Sequence, residues 1–145
     1  MKTTLITPAA HLAIIFLFLA TFGLAALNKW IPLGIPDGFV SDFGPTWMGA
    51  LPGGLFMAYY TIAITETLAV VFFALSLFKR EFLPQNSKRW LLTGLLLSLF
   101  IFVILAYGLR LIGNFGGTAN TFFYFGATLL SLWYVQQTSQ PAEQA

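Results

Sequence analysis

The sequence contains no cysteine and a single histidine, His11, among its 145 residues. Disulfides, thiolate metal sites and cysteine nucleophiles are therefore excluded, and so is a haem or metal ion held by two histidines of one chain. Charged residues make up only 8% of the chain, whereas a soluble domain has about a quarter. So few charged side chains cannot cover a water-facing surface, and they form no basic run typical of nucleic-acid binding.

Apolar residues dominate instead, at 58% of the chain, and the mean hydropathy is +0.82. These values indicate an integral membrane protein. A helix that crosses the hydrocarbon core needs about 20 mostly apolar residues. Four stretches meet this requirement, at 8–27, 54–78, 90–112 and 118–135. We therefore predict an all-α fold, a four-helix transmembrane bundle within a single domain at 1–137, followed by a polar cytoplasmic tail at 138–145.

Four crossings place the connections and termini on two sides of the membrane, and the basic residues are distributed unevenly between these sides. The side with both chain termini holds Lys2, Lys79, Arg80, Lys88 and Arg89. The other side holds only Lys29 and Arg110. Loops rich in Lys and Arg stay in the cytoplasm, so we expect both termini and the second connection to be cytoplasmic.

The connection between the first two spans is long and rich in Gly, Pro and aromatic residues, NKWIPLGIPDGFVSDFGPTWMGALPG. Its Gly and Pro residues are incompatible with one long helix, and its aromatics are too numerous for a free solvated loop. We predict a structured extracytoplasmic segment that covers the bundle.

Glu66 lies at the centre of the second span, between Ala63 and Ala69 on the same helical face. A charged carboxylate is costly against lipid, so Glu66 should face the bundle interior. One interpretation is a hydrogen bond to a Thr, Ser or Tyr across the bundle, for which Thr128 lies at a suitable depth. The other is a proton relay or a ligand site. The sequence leaves both open.

Three further polar residues are candidates for such a site. Arg110 near the end of the third span suits snorkelling to the headgroups; alternatively it contacts a ligand, with Tyr107 beside it. Lys29 suits interfacial anchoring or an ion pair with Asp37 or Asp42. No catalytic residue and no metal ligand set is predicted.

Three short motifs resemble the DoxX-like family of small four-helix bacterial membrane proteins. The first span ends in AALNK, the second contains TETLAVVFFALSLFKR, and the fourth begins with TANTFFYFGATLL. The matching positions are Lys29, Glu66 and Asn120. The chain departs from the family where Leu68, Ala69 and Val70 follow the glutamate, since glycines are frequent there. The resemblance implies a bacterial inner-membrane location and a link to quinone-reducing complexes.

Three functions are compatible with these features. The first is a non-catalytic or quinone-interacting subunit of a membrane redox complex in the respiratory chain, with quinone or a bound lipid as its ligand and no cofactor of its own. The second is a structural or assembly subunit of a larger membrane complex. The third is a small proton-coupled transporter or channel that forms homo-oligomers. All three imply contact with membrane lipids, and the first two imply partner subunits in the membrane.

Overall fold

The computed structural model describes residues 3–139, and the regular structure in this range is entirely helical. Four helices are long: α1 (Thr3–Trp30), α3 (Leu55–Phe78), α4 (Arg89–Leu111) and α5 (Phe115–Ser139). A short helix, α2 (Asp37–Phe43), and a 3-10 turn (Trp47–Ala50) lie between α1 and α3. The all-helical prediction is confirmed.

Both terminal helices are longer than the apolar stretches that predict them. Helix α1 begins before Pro8, and α5 continues to Ser139, so residues 138 and 139 belong to the helix rather than to a polar tail. Lys2 and residues 140–145, which the sequence assigns to the cytoplasmic side, lie outside the described residues.

Three of the long helices are long and apolar enough to cross a membrane: Ile6–Trp30, Leu55–Phe78 and Arg89–Leu111. Helix α5 is comparable in length but contains several Gly, Thr, Asn and Gln residues, which reduce its apolarity. The chain is therefore a membrane protein with three clear candidate spans, and α5 packs beside them.

Each long helix packs mainly on the next one along the fold, so that α1 contacts α3, α3 contacts α4 and α4 contacts α5. Few contacts join α1 to α5. The bundle is therefore well closed on three sides and weakly closed on the fourth. We call the end with the α3–α4 turn (79–88) the terminal end, because α1 begins and α5 finishes there. The opposite end, with the 31–54 segment, is the capped end.

Phenylalanine side chains fill the centre of the bundle. Phe18 of α1 stacks on Phe73 of α3 with ring centroids 5.0 Å apart, and Phe22 lies 5.7 Å from Phe102 of α4. Gly94 of α4 makes room for this cluster, because a Cβ there would lie 3.1 Å from the Phe73 ring. The close approach of α3 and α4 thus depends on a glycine, as is common where membrane helices pack tightly.

The 31–54 segment folds against the capped end through three aromatic contacts. Phe39 meets Tyr59 of α3 edge to face at 5.2 Å. The Phe43 ring lies over Gly108 of α4. The Trp47 indole N–H donates to the Tyr107 hydroxyl at 3.2 Å. This segment therefore forms a structured cap over the helices; we refer to it as the cap.

Two buried charged residues shape the α3–α4 turn. The Glu81 carboxylate accepts from the backbone N–H groups of Trp90 at 3.1 Å and Leu91 at 2.8 Å, and so caps the first turn of α4. The Lys88 ammonium donates to the carbonyl oxygens of Leu83 and Asn86. Burial lowers the pKa of Lys88, and the nearby Glu81 charge opposes that shift. The turn is thus held by side chains that satisfy its backbone groups.

Replacing Glu81 by Gln should lower the free energy of unfolding. Both oxygens of Glu81 accept N–H groups, and an amide offers only one oxygen and no charge to the helix terminus. We expect Glu81→Gln to cost about 2 kcal/mol, in the range of hydrogen bonds to charged groups. Thermal unfolding of the detergent-solubilised protein measures the loss. The control is Asp42→Asn, the same chemical change at an exposed cap position; equal effects of the two substitutions would contradict the capping role.

Candidate functional site

A buried ion pair joins α1 to α3 near the capped end. The Lys29 ammonium donates to both carboxylate oxygens of Glu66, at 3.0 Å to Oε1 and 2.8 Å to Oε2. The Glu66 side chain is only 3% exposed, whereas the Lys29 side chain is 22% exposed. The carboxylate therefore lies behind the ammonium, which faces the more open space.

The antiparallel arrangement of α1 and α3 directs the two side chains towards each other. In an α-helix each Cα–Cβ bond tilts towards the helix N-terminus. Lys29 thus leans from the last turn of α1 towards the terminal end, and Glu66 leans from the middle of α3 towards the capped end. The Tyr59 hydroxyl donates to the Lys29 carbonyl at 3.4 Å, and the Trp30 indole N–H donates to Thr67 Oγ1 at 3.0 Å. These bonds hold the end of α1 against α3.

The structure pairs Glu66 with Lys29 rather than with a Thr, Ser or Tyr across the bundle. The hydroxyl of Thr128, which the sequence suggests by its depth, donates within its own helix to the Tyr124 carbonyl at 2.7 Å. The buried Ser98 hydroxyl likewise donates to the Gly94 carbonyl at 2.7 Å. Lys29 pairs with Glu66 rather than with Asp37 or Asp42.

Comparing depths along the sequence misses the pair because it assumes that the last residue of α1 and the first residue of α3 lie at the same level. In the fold, α3 begins above the end of α1, since Tyr59, in its second turn, contacts the Lys29 backbone. Lys29 therefore lies deeper than its position at a helix end implies, and its long side chain covers the remaining distance. The signal available in the sequence is a lysine in the last turn of one apolar helix and a lone acid inside the next.

A cavity of about 1020 Å³ lies beside the ion pair, between the long helices and beneath the cap. Lys29 and Glu66 form part of its wall, together with Asn120 and Thr128 of α5. Most other lining residues are apolar, including Phe39 and Phe43 of the cap. This combination of apolar walls with a few convergent polar groups is typical of small-molecule sites.

Four of the six predicted site residues therefore lie on one cavity: Lys29, Glu66, Asn120 and Thr128. The structure places the other two elsewhere. The Arg110 guanidinium lies over the Phe115 ring, 4.4 Å from its centroid. The Tyr107 hydroxyl accepts from Trp47 and so fixes the cap. Neither residue lines the cavity.

A second buried polar contact closes the bundle at the terminal end. His11 is fully buried, its Nε2 lies 2.9 Å from Thr138 Oγ1 of α5, and its ring meets Tyr134 edge to face at 5.8 Å. Since the Thr138 hydroxyl donates to the Tyr134 carbonyl at 2.8 Å, it is positioned to accept from His11. His11 thus ties α1 to α5 on the side where these helices otherwise scarcely meet.

The residues described here form no cluster of three or more His, Asp or Glu side chains arranged to hold a metal ion. On the cavity wall, Lys29 can donate a hydrogen bond or a proton to a ligand, and the Glu66 carboxylate can accept one.

Comparison of the chain with protein-family models, with curated proteins and with solved structures finds no match in any of the three.

Removing either charge of the pair should destabilise the protein, and removing both should restore most of the loss. Lys29→Met leaves a carboxylate that is 3% exposed without its counter-ion, which we expect to cost about 3 kcal/mol. Glu66→Gln should cost less, because Lys29 is more exposed and can turn towards the cavity.

The double variant Lys29→Met/Glu66→Gln leaves no unpaired charge, so its free energy of unfolding should lie closer to that of the wild type than that of Lys29→Met does. Thermal unfolding in the same detergent gives the coupling between the two sites. Strictly additive losses would show that the two side chains do not interact.

Proposed function

We propose that this membrane protein binds an amphipathic small molecule in the cavity beside Lys29 and Glu66. The observation that carries the proposal is the ion pair on the wall of an otherwise apolar cavity. Burying two charges is costly, and a hydrophobic pair of similar volume is often at least as stable. A charged pair on the wall of an apolar cavity is therefore better suited to binding a ligand than to packing alone.

Quinones are the ligand class that we propose first. A quinone has an apolar ring and tail with carbonyl oxygens, which matches apolar walls with one hydrogen-bond donor group. The cavity volume of about 1020 Å³ accommodates a ring with part of a tail. The resemblance to the DoxX-like family supports the same ligand, because its three motif positions, Lys29, Glu66 and Asn120, all lie on the cavity wall.

By the same resemblance, we propose that the chain is a non-catalytic subunit of a quinone-linked redox complex in a bacterial inner membrane. A partner subunit would supply the electrons. In this arrangement the chain positions the quinone, and Lys29 and Glu66 provide a polar contact and a route for a proton at its carbonyl oxygen.

We further propose that α5 is the fourth membrane crossing, with the terminal end in the cytoplasm and the cap outside. The four basic residues of the α3–α4 turn region favour this orientation.

Single cysteines test this topology cleanly, because the chain has none of its own. Gln85→Cys in the α3–α4 turn and Gln137→Cys near the end of α5 should react with a membrane-impermeant maleimide only after the cells are opened. Ser41→Cys in the cap should react in intact cells. The cysteine-free parent is the blank. Labelling of Gln137→Cys and Gln85→Cys from opposite sides would exclude α5 as a crossing.

A cavity-filling substitution tests the ligand proposal. Ala25 of α1 lines the cavity, whereas Ala20 of the same helix is exposed away from it. We expect decyl-benzoquinone to bind the purified protein in nanodiscs, and Ala25→Phe to weaken that binding about tenfold or more, equivalent to about 1.4 kcal/mol. Ala20→Phe should leave binding unchanged. Quench of tryptophan fluorescence by the quinone reports the titration.

A structural or assembly subunit predicts a different result from the same variants. In that case neither quinone nor endogenous lipid occupies the cavity, and Ala25→Phe alters only thermal stability. Lipid extraction of the purified protein followed by mass spectrometry identifies any endogenous occupant. Absence of any bound amphiphile, together with no response of the titration to Ala25→Phe, would reject the binding function.

A further inference from the structure

The Lys29 ammonium has one more hydrogen to donate than Glu66 uses. An ammonium group has three N–H donors, and two of them are directed to Glu66 Oε1 and Oε2. Among the described residues, the Lys29 ammonium makes no other hydrogen bond. Because Lys29 lines the cavity and is more exposed than Glu66, its third N–H is available to a ligand there.

The charges around that donor cancel. Among the described residues, the charged side chains on the cavity wall are Lys29 and Glu66, one positive and one negative. The remaining polar residues there are Thr21, Thr61, Asn120, Thr121, Tyr124 and Thr128. The Glu66 carboxylate lies directly behind the ammonium. An anionic head would have to leave water for a site of zero net charge, at a large desolvation cost. A neutral acceptor loses far less and gains the same hydrogen bond.

The gap between α1 and α5 offers a way in from the membrane. These helices meet near the terminal end through His11 and Thr138, and they make few contacts elsewhere. Towards the capped end both helices line the cavity, where Thr21 of α1 and Tyr124 of α5 are exposed. An alkyl chain can therefore extend from the cavity between these two residues into lipid.

The geometry points to a neutral, single-chain amphiphile as the ligand class. Its head presents a carbonyl oxygen that accepts the third N–H of Lys29, and its chain leaves the cavity between α1 and α5. Glu66 is the positioning residue, because it fixes the ammonium and cancels its charge. This inference rests on the proposed function and adds to it that the site discriminates against anionic amphiphiles.

Three probes that share an undecyl chain separate the contributions: undecyl methyl ketone, dodecanoate and dodecane. Binding is measured by native mass spectrometry on the full chain in zwitterionic nanodiscs, at a pH where dodecanoate is ionised. The wild type should bind the ketone about tenfold or more tighter than either other probe, as a hydrogen bond to a charged donor implies. The variant Glu66→Gln should reverse the order and bind dodecanoate most tightly, because its Lys29 charge is no longer cancelled.

The double variant Lys29→Met/Glu66→Gln keeps the site uncharged and removes the donor. It should bind the ketone no better than dodecane, and the exposed-surface control Ala20→Phe should retain the wild-type order of the probes. Tighter binding of dodecanoate than of the ketone by the wild type, or an undiminished ketone preference in the double variant, overturns the inference. Both outcomes leave binding in the cavity intact, whereas failure of all three probes and of decyl-benzoquinone to bind overturns the proposed function as well.

Discussion

The bidentate ion pair between Lys29 and Glu66 is the interaction on which this structure depends. It places two charges within a helical bundle whose other central contacts are aromatic and aliphatic. Without Lys29 the buried Glu66 carboxylate would lack both hydration and a counter-ion, whereas the more exposed Lys29 ammonium tolerates the loss of its partner better. The pair therefore fixes the register of α1 on α3. Helix α1 ends below the start of α3, and the cap covers this end of the bundle.

The cap and the pair form one structural unit. The cap rests on Tyr59, Tyr107 and Gly108, and the first of these also bonds to the Lys29 backbone. The cap thus shields the cavity from water at the end where the polar groups lie. Low local polarity strengthens the hydrogen bonds that those groups make, to each other and to a ligand. The cavity opens instead between α1 and α5, and this opening faces lipid in the membrane-embedded state that we propose.

Much of the helical architecture follows directly from the sequence. Long apolar runs predict the helices because a backbone within lipid must satisfy its own hydrogen bonds. Gly and Pro in the 31–54 segment predict the interruption, and its aromatic residues predict contact with the bundle. Helix ends are harder to predict, since Thr3–Thr7 and Gln136–Ser139 are helical although they are too polar to belong to an apolar run.

The site is only partly predictable. Glu66 stands out as an acid inside an apolar helix, and the resemblance to the DoxX-like family selects Lys29 and Asn120 together with it. The pairing itself depends on how far α1 is shifted along the bundle axis relative to α3. The hydrophobic periodicity of the sequence does not specify this shift. The same is true of Arg110 and Tyr107. From the sequence, Arg110 is compatible with snorkelling to the headgroups or with a ligand contact beside Tyr107. In the fold, Arg110 lies over Phe115 and Tyr107 accepts from Trp47 of the cap. Tertiary packing decides these partners.

The most direct test of the ion pair is a distance measurement between its two side chains in a lipid bilayer. Solid-state NMR on protein labelled with ¹⁵N in lysine and ¹³C in glutamate reports the dipolar coupling between Lys29 Nζ and Glu66 Cδ. The chain has few lysines and glutamates, so the variant Glu66→Gln assigns the signal by its loss. We predict a strong coupling, as expected for a directly hydrogen-bonded pair in which Nζ lies 2.8 Å from Oε2. Lysine-to-glutamate couplings that are identical in the wild type and in Glu66→Gln would contradict the ion pair, whereas any coupling of Lys88 to the nearby Glu81 would be common to both proteins.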